Sequence, residues 1–536
     1  MGTRGWGWPA LVMAALAGAA GAADVGAGLN AIRAANLKAD LTFLTSDALE
    51  GRLSLRRGSE VAIQFIVAEF AKAGLQPAAA DSFLQTVPLV EYRVDAKRTA
   101  LAVERGGAVK TYQNGKDFWG GFPGDVTARG AVVFAGYGIT APEYGYDDYA
   151  GLDARGKIVL IFDHEPQEND PRSIFNGVGN TRYANTFVKV MNAQKHGAVG
   201  VLLAAEPNRK HLSAQDRQAK APGGVVRVGR LTPQALAEGE ARIPLLSVSD
   251  QLLADLLAET GKSGKELQAA IDAGPRPMSM ALGAATAEMR VVVEERRRGE
   301  SANVVGMLEG RDPQLKGETV IFSAHYDHDG AWDGQIRPGA DDDGSGTVGV
   351  IELARAFARN PERPKRTLLF VLFAAEERGL LGSYHYTQHP LRPLATTRAV
   401  INFDMIGRNE APSKQTDGLI EIAPDTSNEL NLIGTNYSPD YRAVVEKENR
   451  EIGLGLNYKW DKDAALNVFQ RSDQFPFALH DIPAVWWFTG FHPDYHQTTD
   501  TVDRINFPKM EKILKLAYLT GWRFAEDARG PEFAAR

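Results

Sequence analysis

Apolar positions change their spacing along the chain, and each change predicts a different kind of structure. Leu41, Leu44 and Ala48 fall on one face of a helix over 38–50. Ile63, Ile66, Val67 and Phe70 fall on one face of a second helix over 59–73, closed by Gly74, with Gly51 and Gly58 marking the break between the two. From about 128 the pattern shortens to strand-length apolar runs between Gly-rich turns. Val132-Val133-Phe134 runs into Gly136-Tyr137-Gly138, Gly156-Lys157 leads into Ile158–Phe162, and the run Gly197–Leu203 is followed by Ile243–Val248. One helical stretch, around Phe187–Lys195, interrupts them, so the region predicts a small β-rich module. After about 300, strands at 318–323, 366–374, 399–403 and 484–488 alternate with helices at 345–359, 376–388 and 508–526. That alternation predicts an α/β domain whose mostly parallel central sheet is flanked by helices. The helix over 345–359 puts Val350, Leu353, Ala354, Phe357 and Ala358 on one face. The charged cluster Glu294–Arg298 predicts a solvated linker, and no internal repeat is found.

The first residues follow a different logic. Arg4 precedes a run from Leu11 to Ala23 made only of Leu, Val, Met, Ala and Gly, which predicts a cleaved signal peptide over 1–23. The rival reading is a buried apolar helix. The run is too short to span a bilayer, which takes roughly 20 residues, and no later stretch is apolar for long enough. A secreted or periplasmic protein without stable membrane insertion is the expectation.

Size and composition narrow the function classes. A chain of 536 residues is too long for one core, so three further segments are expected: 24–127, 128–285 as an inserted module, and 286–536. Hydrophobic content of 44% with 24% charged residues marks a folded chain, and a net charge of −7 gives no electrostatic case for binding nucleic acid. With no cysteine, disulfides, thiolate metal sites, a cysteine nucleophile and a lipid-modified cysteine are excluded.

Candidate chemistry collects at strand ends. The strand over 318–323 leads into His325-Tyr326-Asp327-His328, and a short loop later Asp341-Asp342-Asp343 opens a helix. The strand over 366–374 ends in Glu376-Glu377, that over 399–403 in Asp404, and that over 484–488 in a loop with His492, Asp494 and His496. Sites in open α/β sheets lie beyond the carboxyl ends of the strands. Carboxylates gathered there repel one another unless protonated or bound to cations. Imidazole and carboxylate without thiolate suit Zn²⁺ or Mn²⁺ in a hydrolytic site, and a bridging carboxylate gives a two-metal arrangement. One of Glu376 and Glu377 then binds metal while its neighbour handles the proton of the attacking water.

Taken in order, His325-Tyr326-Asp327, Gly339–Gly346, Glu376-Glu377 with Gly379 and Gly382-Ser383, Asn402–Gly407, and His496 before Asp500-Thr501 resemble the co-catalytic zinc aminopeptidase family. Glu50-Gly51-Arg52 belongs to the same likeness, and the region near 128–285 resembles the protease-associated domain inserted in such enzymes. The resemblance implies two Zn²⁺ ions per chain. Asp342 would bridge them, His325 and Asp404 would hold one, and Glu377 and His496 the other. Glu376 would be the general base, and Asp327 would orient His325.

Alternatives stay open at this level. Asp341 or Asp343 could ligate in place of Asp342, which would then cap the helix. His492 competes with His496, but the residues after His496 carry the family-like context, which leaves His492 at the cleft rim. His328 and Asp329 read as supporting or surface groups. Ser472–Phe477 resembles a substrate-proximal stretch or is a turn, and Trp486 and Trp487 read as strand core. The implied function is an aminopeptidase acting on peptide substrates. A carboxypeptidase or dipeptidase on the same site, with Arg378, Arg408 or Arg471 capturing a carboxylate, is the alternative within the class. A non-catalytic binding protein of the same fold is the alternative outside it. Oligomeric state is not legible.

Overall fold

The structure, a computed structural model, describes residues 25–534 except 211, 214, 215, 217–230, 417 and 464, so the signal-peptide expectation lies outside the described residues. Two sheets organise the chain. In the larger, four neighbouring strands are parallel: Thr367–Phe373, Thr319–His325, Thr397–Phe403 and Ala484–Phe488. Antiparallel strands flank them, Val293–Leu308 on one side and Glu429–Ile433 on the other. The parallel strands are buried at every position except Arg398, because both sheet faces are covered. Alternate residues point opposite ways. Val320, Phe322 and Ala324 enter a core with the helices Ala34–Leu44, Arg57–Lys72, Gly346–Arg359 and Phe507–Glu526, whereas Ile321 enters a second core with Tyr386 and Phe477.

The alternation predicted after residue 300 is thus the α/β sheet observed, with three adjustments. The first two helices are Ala34–Leu44 and Arg57–Lys72, separated by a 3₁₀ segment Asp47–Arg52 in which Glu50 and Gly51 have positive φ. Glu376 and Glu377 do not open a helix over 376–388. They occupy a short 3₁₀ turn, Glu376–Arg378, and left-handed residues at Gly379 and Leu380 separate it from the helix Leu381–Gln388. The cluster Glu294–Arg298 is part of a long strand, exposed as its charges require, and not a linker.

The second sheet has eight strands in the order Ala108–Tyr112, Ala100–Arg105, Met280–Val291, Val126–Phe134, Ile158–Phe162, Gly200–Ala204, Leu245–Val248 and Phe118–Gly121. Val126–Phe134, Ile158–Phe162, Gly200–Ala204 and Leu245–Val248 run parallel, and Thr186–Lys195, Asp250–Leu257 and Gly264–Asp272 are helices. Strands of this sheet occur before residue 128, where the change of texture puts its start. Ala108–Tyr112 is exposed at four of its five positions, so it carries no apolar alternation to announce a strand. The chain leaves the main sheet along Leu84–Val94 and returns along Val293–Leu308, and these two strands pair as an antiparallel stem.

Among the described residues no helix is long and apolar enough to cross a membrane. The main core is closely packed under the last helix. Phe322 stacks on Phe370 with ring centroids 5.4 Å apart, and Gly521 lies against it so closely that a Cβ would come 2.2 Å from its ring. We therefore expect Gly521→Ala to lower the melting temperature. Overpacking here costs about 1–3 kcal/mol, which outweighs the gain of about 1 kcal/mol in helix propensity. A rise in melting temperature would show that this layer yields.

Candidate metal centre

The main sheet reverses its strand order at Thr319–His325. The chain goes from that strand to Thr367–Phe373 on one side, then to Thr397–Phe403 on the other. Such a reversal opens a crevice at the carboxyl ends of the strands. His325 stands in that crevice as the last residue of its strand. Three turns around it pass through the left-handed region at non-glycine residues, Ala375 (φ 54°), Met405 (60°) and His496 (57°). Each such residue costs of order 1–3 kcal/mol, so the surrounding contacts must hold it. They do: Asp327 Oδ1 accepts from Glu376 N at 3.0 Å, and Asp343 Oδ1 accepts from Met405 N at 3.1 Å.

Asp341-Asp342-Asp343 divides its labour. Asp343 is consumed by backbone donors: His325 N at 3.2 Å, Gly346 N at 2.9 Å and Met405 N. Asp341 accepts from Gly407 N at 2.6 Å and faces His492 Nε2 at 3.2 Å. Asp342 alone of the three turns its two oxygens to different imidazoles. Oδ1 lies 3.5 Å from His325 Nε2 and Oδ2 lies 3.2 Å from His496 Nε2.

Around these two imidazoles the remaining carboxylates close in. His325 Nε2 is 3.6 Å from Glu376 Oε2 and 3.8 Å from Asp404 Oδ2, while His496 Nε2 is 3.8 Å from Glu377 Oε2. Asp327 sits behind His325, with its backbone oxygen 3.2 Å and Oδ1 3.7 Å from Nδ1. All seven residues singled out from the sequence (His325, Asp327, Asp342, Glu376, Glu377, Asp404 and His496) meet in this one crevice.

The structure adds residues that the sequence left at the margin. His328 is fully buried, its Nδ1 2.8 Å from Glu377 Oε1 and 3.9 Å from Asp342 Oδ2, and its ring stacks 5.3 Å from that of His496. Asp329 is buried too and pairs with His496 Nδ1 at 2.8 Å and Arg378 at 3.1 Å. His492 is buried against Asp341, not at the cleft rim. The available signal was the His325-x-x-His328 spacing after a strand, which a chain with only ten histidines makes informative. Ser472 and Asp473 are fully buried and bond to Asn402 and Ser383, which makes that stretch a support for the crevice wall. Trp487 belongs to the core as expected, and Trp486 donates its indole N–H to the Asp404 carbonyl at 2.8 Å.

Arg52 explains why a motif far upstream belongs to this site. Its guanidinium is completely buried and donates to four carbonyls: Leu44 and Tyr326 at 2.8 Å, Pro338 at 2.6 Å and Gly339 at 2.8 Å. Two of these carbonyls precede the aspartate turn and one adjoins His325. Gly51 is required beside it, because at φ +70° a Cβ would come 2.4 Å from the Arg337 carbonyl.

The electrostatics are those of a site built for cations. Burial pushes Glu376 well above the usual carboxylate range and, against the pull of His325, the nearby Asp404, Glu377 and Asp473 add to it. Burial works against ionising Asp342 as well, yet His496, His325 and His328 hold its carboxyl below the ordinary range. Burial likewise raises Asp404. Cation binding fits the residues present. His325 Nε2 is buried without a hydrogen bond and faces three carboxylate oxygens at 3.5–3.8 Å, the spread expected of ligands arranged around an ion rather than bonded to one another. His328, Asp342, Glu377 and His496 form one ligand-capable group, and His325, Asp343 and Asp404 another, although the oxygens of Asp343 are already committed to backbone N–H groups.

An α/β domain with a carboxylate–imidazole centre at its switch point is the class that fold and site define. Residues 303–520 match the model of peptidase family M28, and residues 126–238 match the PA domain, the protease-associated module. Over these two stretches the chain is similar to peptidase family M28 and to the PA domain, in line with the motifs noted in the sequence. It is 36% identical over 152 residues to a "Probable zinc metalloprotease" of Pyrenophora teres f. teres, covering 25% of this chain and 31% of that protein. It is 26% identical over 317 residues to the "Probable lipoprotein aminopeptidase LpqL" of Mycobacterium tuberculosis, covering 55% of each. The chain spans less than two thirds of the length of both curated relatives. Among solved structures, an aminopeptidase from Aneurinibacillus sp. strain AM-1 aligns with 94% of this chain and 97% of its own at 21% identity and a TM-score of 0.47.

Stripping divalent cations from the protein with a chelator should lower its melting temperature, because a ligand bound only to the folded state stabilises it. Adding zinc back should restore it. An unchanged midpoint would mean that protons and internal ion pairs suffice to hold the buried acids.

Proposed function

We propose that the protein is an exported two-zinc metalloexopeptidase that releases N-terminal residues from peptides. The observation that carries this reading is Asp342, whose two oxygens face two separate histidines within one ring of buried carboxylates. His325, Asp342 and Asp404 would hold one zinc and Asp342, Glu377 and His496 the other, with His328 fixing Glu377. When bound, such a pair of cations polarises the scissile carbonyl and lowers the pKa of the attacking water. Glu376, the adjacent carboxylate whose burial gives it a strong affinity for a proton, takes the proton from that water and returns it to the leaving amine. Asp327 keeps His325 oriented and, through Glu376 N, sets the turn that carries the base. The relative named a zinc metalloprotease supports the choice of metal.

Capture of a free amine is favoured by the charge balance. Asp404, Glu377 and Asp473 all bear on Glu376, so an N-terminal ammonium finds negative potential on that side. Two of the three arginines that could instead capture a carboxylate are engaged: Arg378 with Asp329 at 3.1 Å, and Arg408 with Asp494 at 2.7 Å. Arg471 keeps a carboxypeptidase or dipeptidase as the second reading. It donates to the Tyr495 hydroxyl at 3.1 Å and stacks over Phe491, with no acidic partner among the described residues. The run over 1–23 and the likeness to a named lipoprotein aminopeptidase support export. The PA unit is proposed as a module inserted between two parts of one peptidase domain, on the paired stem Leu84–Val94 and Val293–Leu308.

Glu376→Gln should leave bound metal unchanged while kcat falls by at least ~10²–10⁴-fold. A variant with near wild-type turnover would remove Glu376 from the base role. The reaction class is tested with a panel of free-amine and N-blocked peptides, given to the zinc-loaded protein and a chelated control. Chelator-sensitive loss of single residues from free N-termini alone is the expected result by mass spectrometry. Cleavage of N-blocked peptides from the other end would transfer the assignment to the Arg471 reading.

A further inference from the structure

A second histidine–carboxylate cluster lies in the PA unit, away from the centre described above. Parallel strands Ile158–Phe162 and Gly200–Ala204 are neighbours, and the loops at their carboxyl ends bring His164 and Glu168 against Glu206. His164 Nδ1 lies 2.7 Å from Glu168 Oε2 and 3.5 Å from Glu206 Oε1. All three residues are buried, with relative exposures of 1%, 8% and 3%. One ligand atom from each residue falls within 4.8 Å of the other two.

Two observations give the cluster a direction. Glu206 Oε1 is enclosed, makes no hydrogen bond and is aimed at the imidazole. Lys189, the buried cation of the same unit, donates to the Tyr137 carbonyl instead. On the opposite side of the ring, Asn467 Nδ2 lies 3.3 Å from His164 Nε2, and Asn467 Oδ1 accepts from Asn180 Nδ2. That network sets the Asn467 amide with its N–H groups toward the ring, which makes Nε2 the acceptor, while Nδ1 faces both carboxylates and, at 3.5 Å, Asn180 Nδ2.

We propose that His164 Nδ1, Glu168 and Glu206 bind one divalent transition-metal cation, of the zinc or manganese type. Two carboxylates balance the charge of a dication, and one imidazole with two carboxylates is a donor set that suits these metals. Ligand atoms around a tetrahedral ion with bonds of about 2.0–2.1 Å stand roughly 3.3 Å apart; the 3.5 Å from His164 Nδ1 to Glu206 matches this, and the 2.7 Å hydrogen-bond distance to Glu168 would open as the ion replaces the proton. A proton on Nδ1 serves Glu168 and leaves Glu206 Oε1 unsatisfied, whereas a cation satisfies all three groups.

The ion would act as a clamp between the two units. Asn467, which fixes the imidazole, belongs to the main domain. Its neighbour Gln470 donates to the Thr181 carbonyl at 3.0 Å, and the same segment continues into Ser472 and Asp473 at the wall of the main centre. Ordering the His164 loop therefore orders the contact of the PA unit with the crevice.

The test uses the full chain, stripped with chelator, re-equilibrated with zinc sulfate alone and dialysed. Metal per chain is then compared between the wild type and Glu206→Gln, a change that keeps the side chain's size. The wild type should hold one more zinc per chain than the variant, and crystals should show zinc-edge anomalous density beside His164 Nδ1. Equal zinc content in both proteins overturns the proposal. So does anomalous density confined to the His325–His496 crevice of the wild type, a measurement that needs no variant to fold.

Discussion

Buried negative charge is the constraint around which this molecule is arranged. Asp327, Asp341, Asp342, Asp343, Glu376, Asp404 and Asp500 are all enclosed at one sheet edge. Taking so many carboxylates out of water is tolerable only if each is given a donor, a proton or a cation. The structure assigns these one at a time. Asp343 and Asp500 are satisfied by backbone N–H groups, Asp341 by Gly407 and His492, and one oxygen of Asp327 by the amide of Glu376. Arg52 contributes a fixed positive charge from below while its donors are spent on carbonyls, so it steadies the cluster without neutralising any one member. What remains after this accounting is Asp342 with Glu376, Glu377 and Asp404. These are the carboxylates left facing His325 and His496.

The same constraint explains how much of the site was legible in the sequence. Strand-terminal residues were readable because an apolar run followed at once by His or Asp can only place the polar group at a sheet edge. His325, Asp404 and Glu376-Glu377 all follow such runs. The α/β alternation after residue 300 was readable for the related reason that its strands are buried on both faces. What could not be read was direction. Three consecutive aspartates look alike in sequence, and only the turn they occupy decides that the outer two cap backbone while the middle one looks outward. His328 and Asp329 were undervalued because they lie past the strand end, in a loop whose path is set by Gly51 and Arg52, contributed from hundreds of residues away. The strands before residue 128 were hidden for the opposite reason: an exposed edge strand such as Ala108–Tyr112 has no apolar face to betray it.

The PA unit and the main domain are joined at several places, among them the stem, the strand Gln234–Leu236 and the segment 459–481. The stem of Leu84–Val94 and Val293–Leu308 fixes where the PA unit departs, and Gln234–Leu236 pairs along its outer edge. Orientation comes from the segment 459–481 of the main domain. Asp461 accepts from Gly434 N and Thr435 Oγ1, and Asp463 from the amides of Ala465, Leu466 and Val468, so the segment is folded onto inward-facing carboxylates of its own. Its outer face meets the PA unit through Asn180–Asn467 and Thr181–Gln470, and beside it the ring of Tyr384, on the helix Leu381–Gln388, packs against that of Phe187 at 4.7 Å.

This arrangement makes one short segment answer to both sites. Its far end buries Asp473 against Ser383, close enough to Glu376 to add to the charge that Glu376 feels. Its near end carries the amide that sets the His164 ring. A displacement of a few tenths of an ångström at either end would have to be absorbed by a loop already closed by buried carboxylate caps, and close-packed interiors transmit such shifts instead of damping them. The PA unit therefore bears on the peptidase crevice through the wall that supplies part of its negative potential. It does so without contributing a side chain to the ring around His325 and His496, which is why that ring could be picked out without it and the shape of the cleft could not.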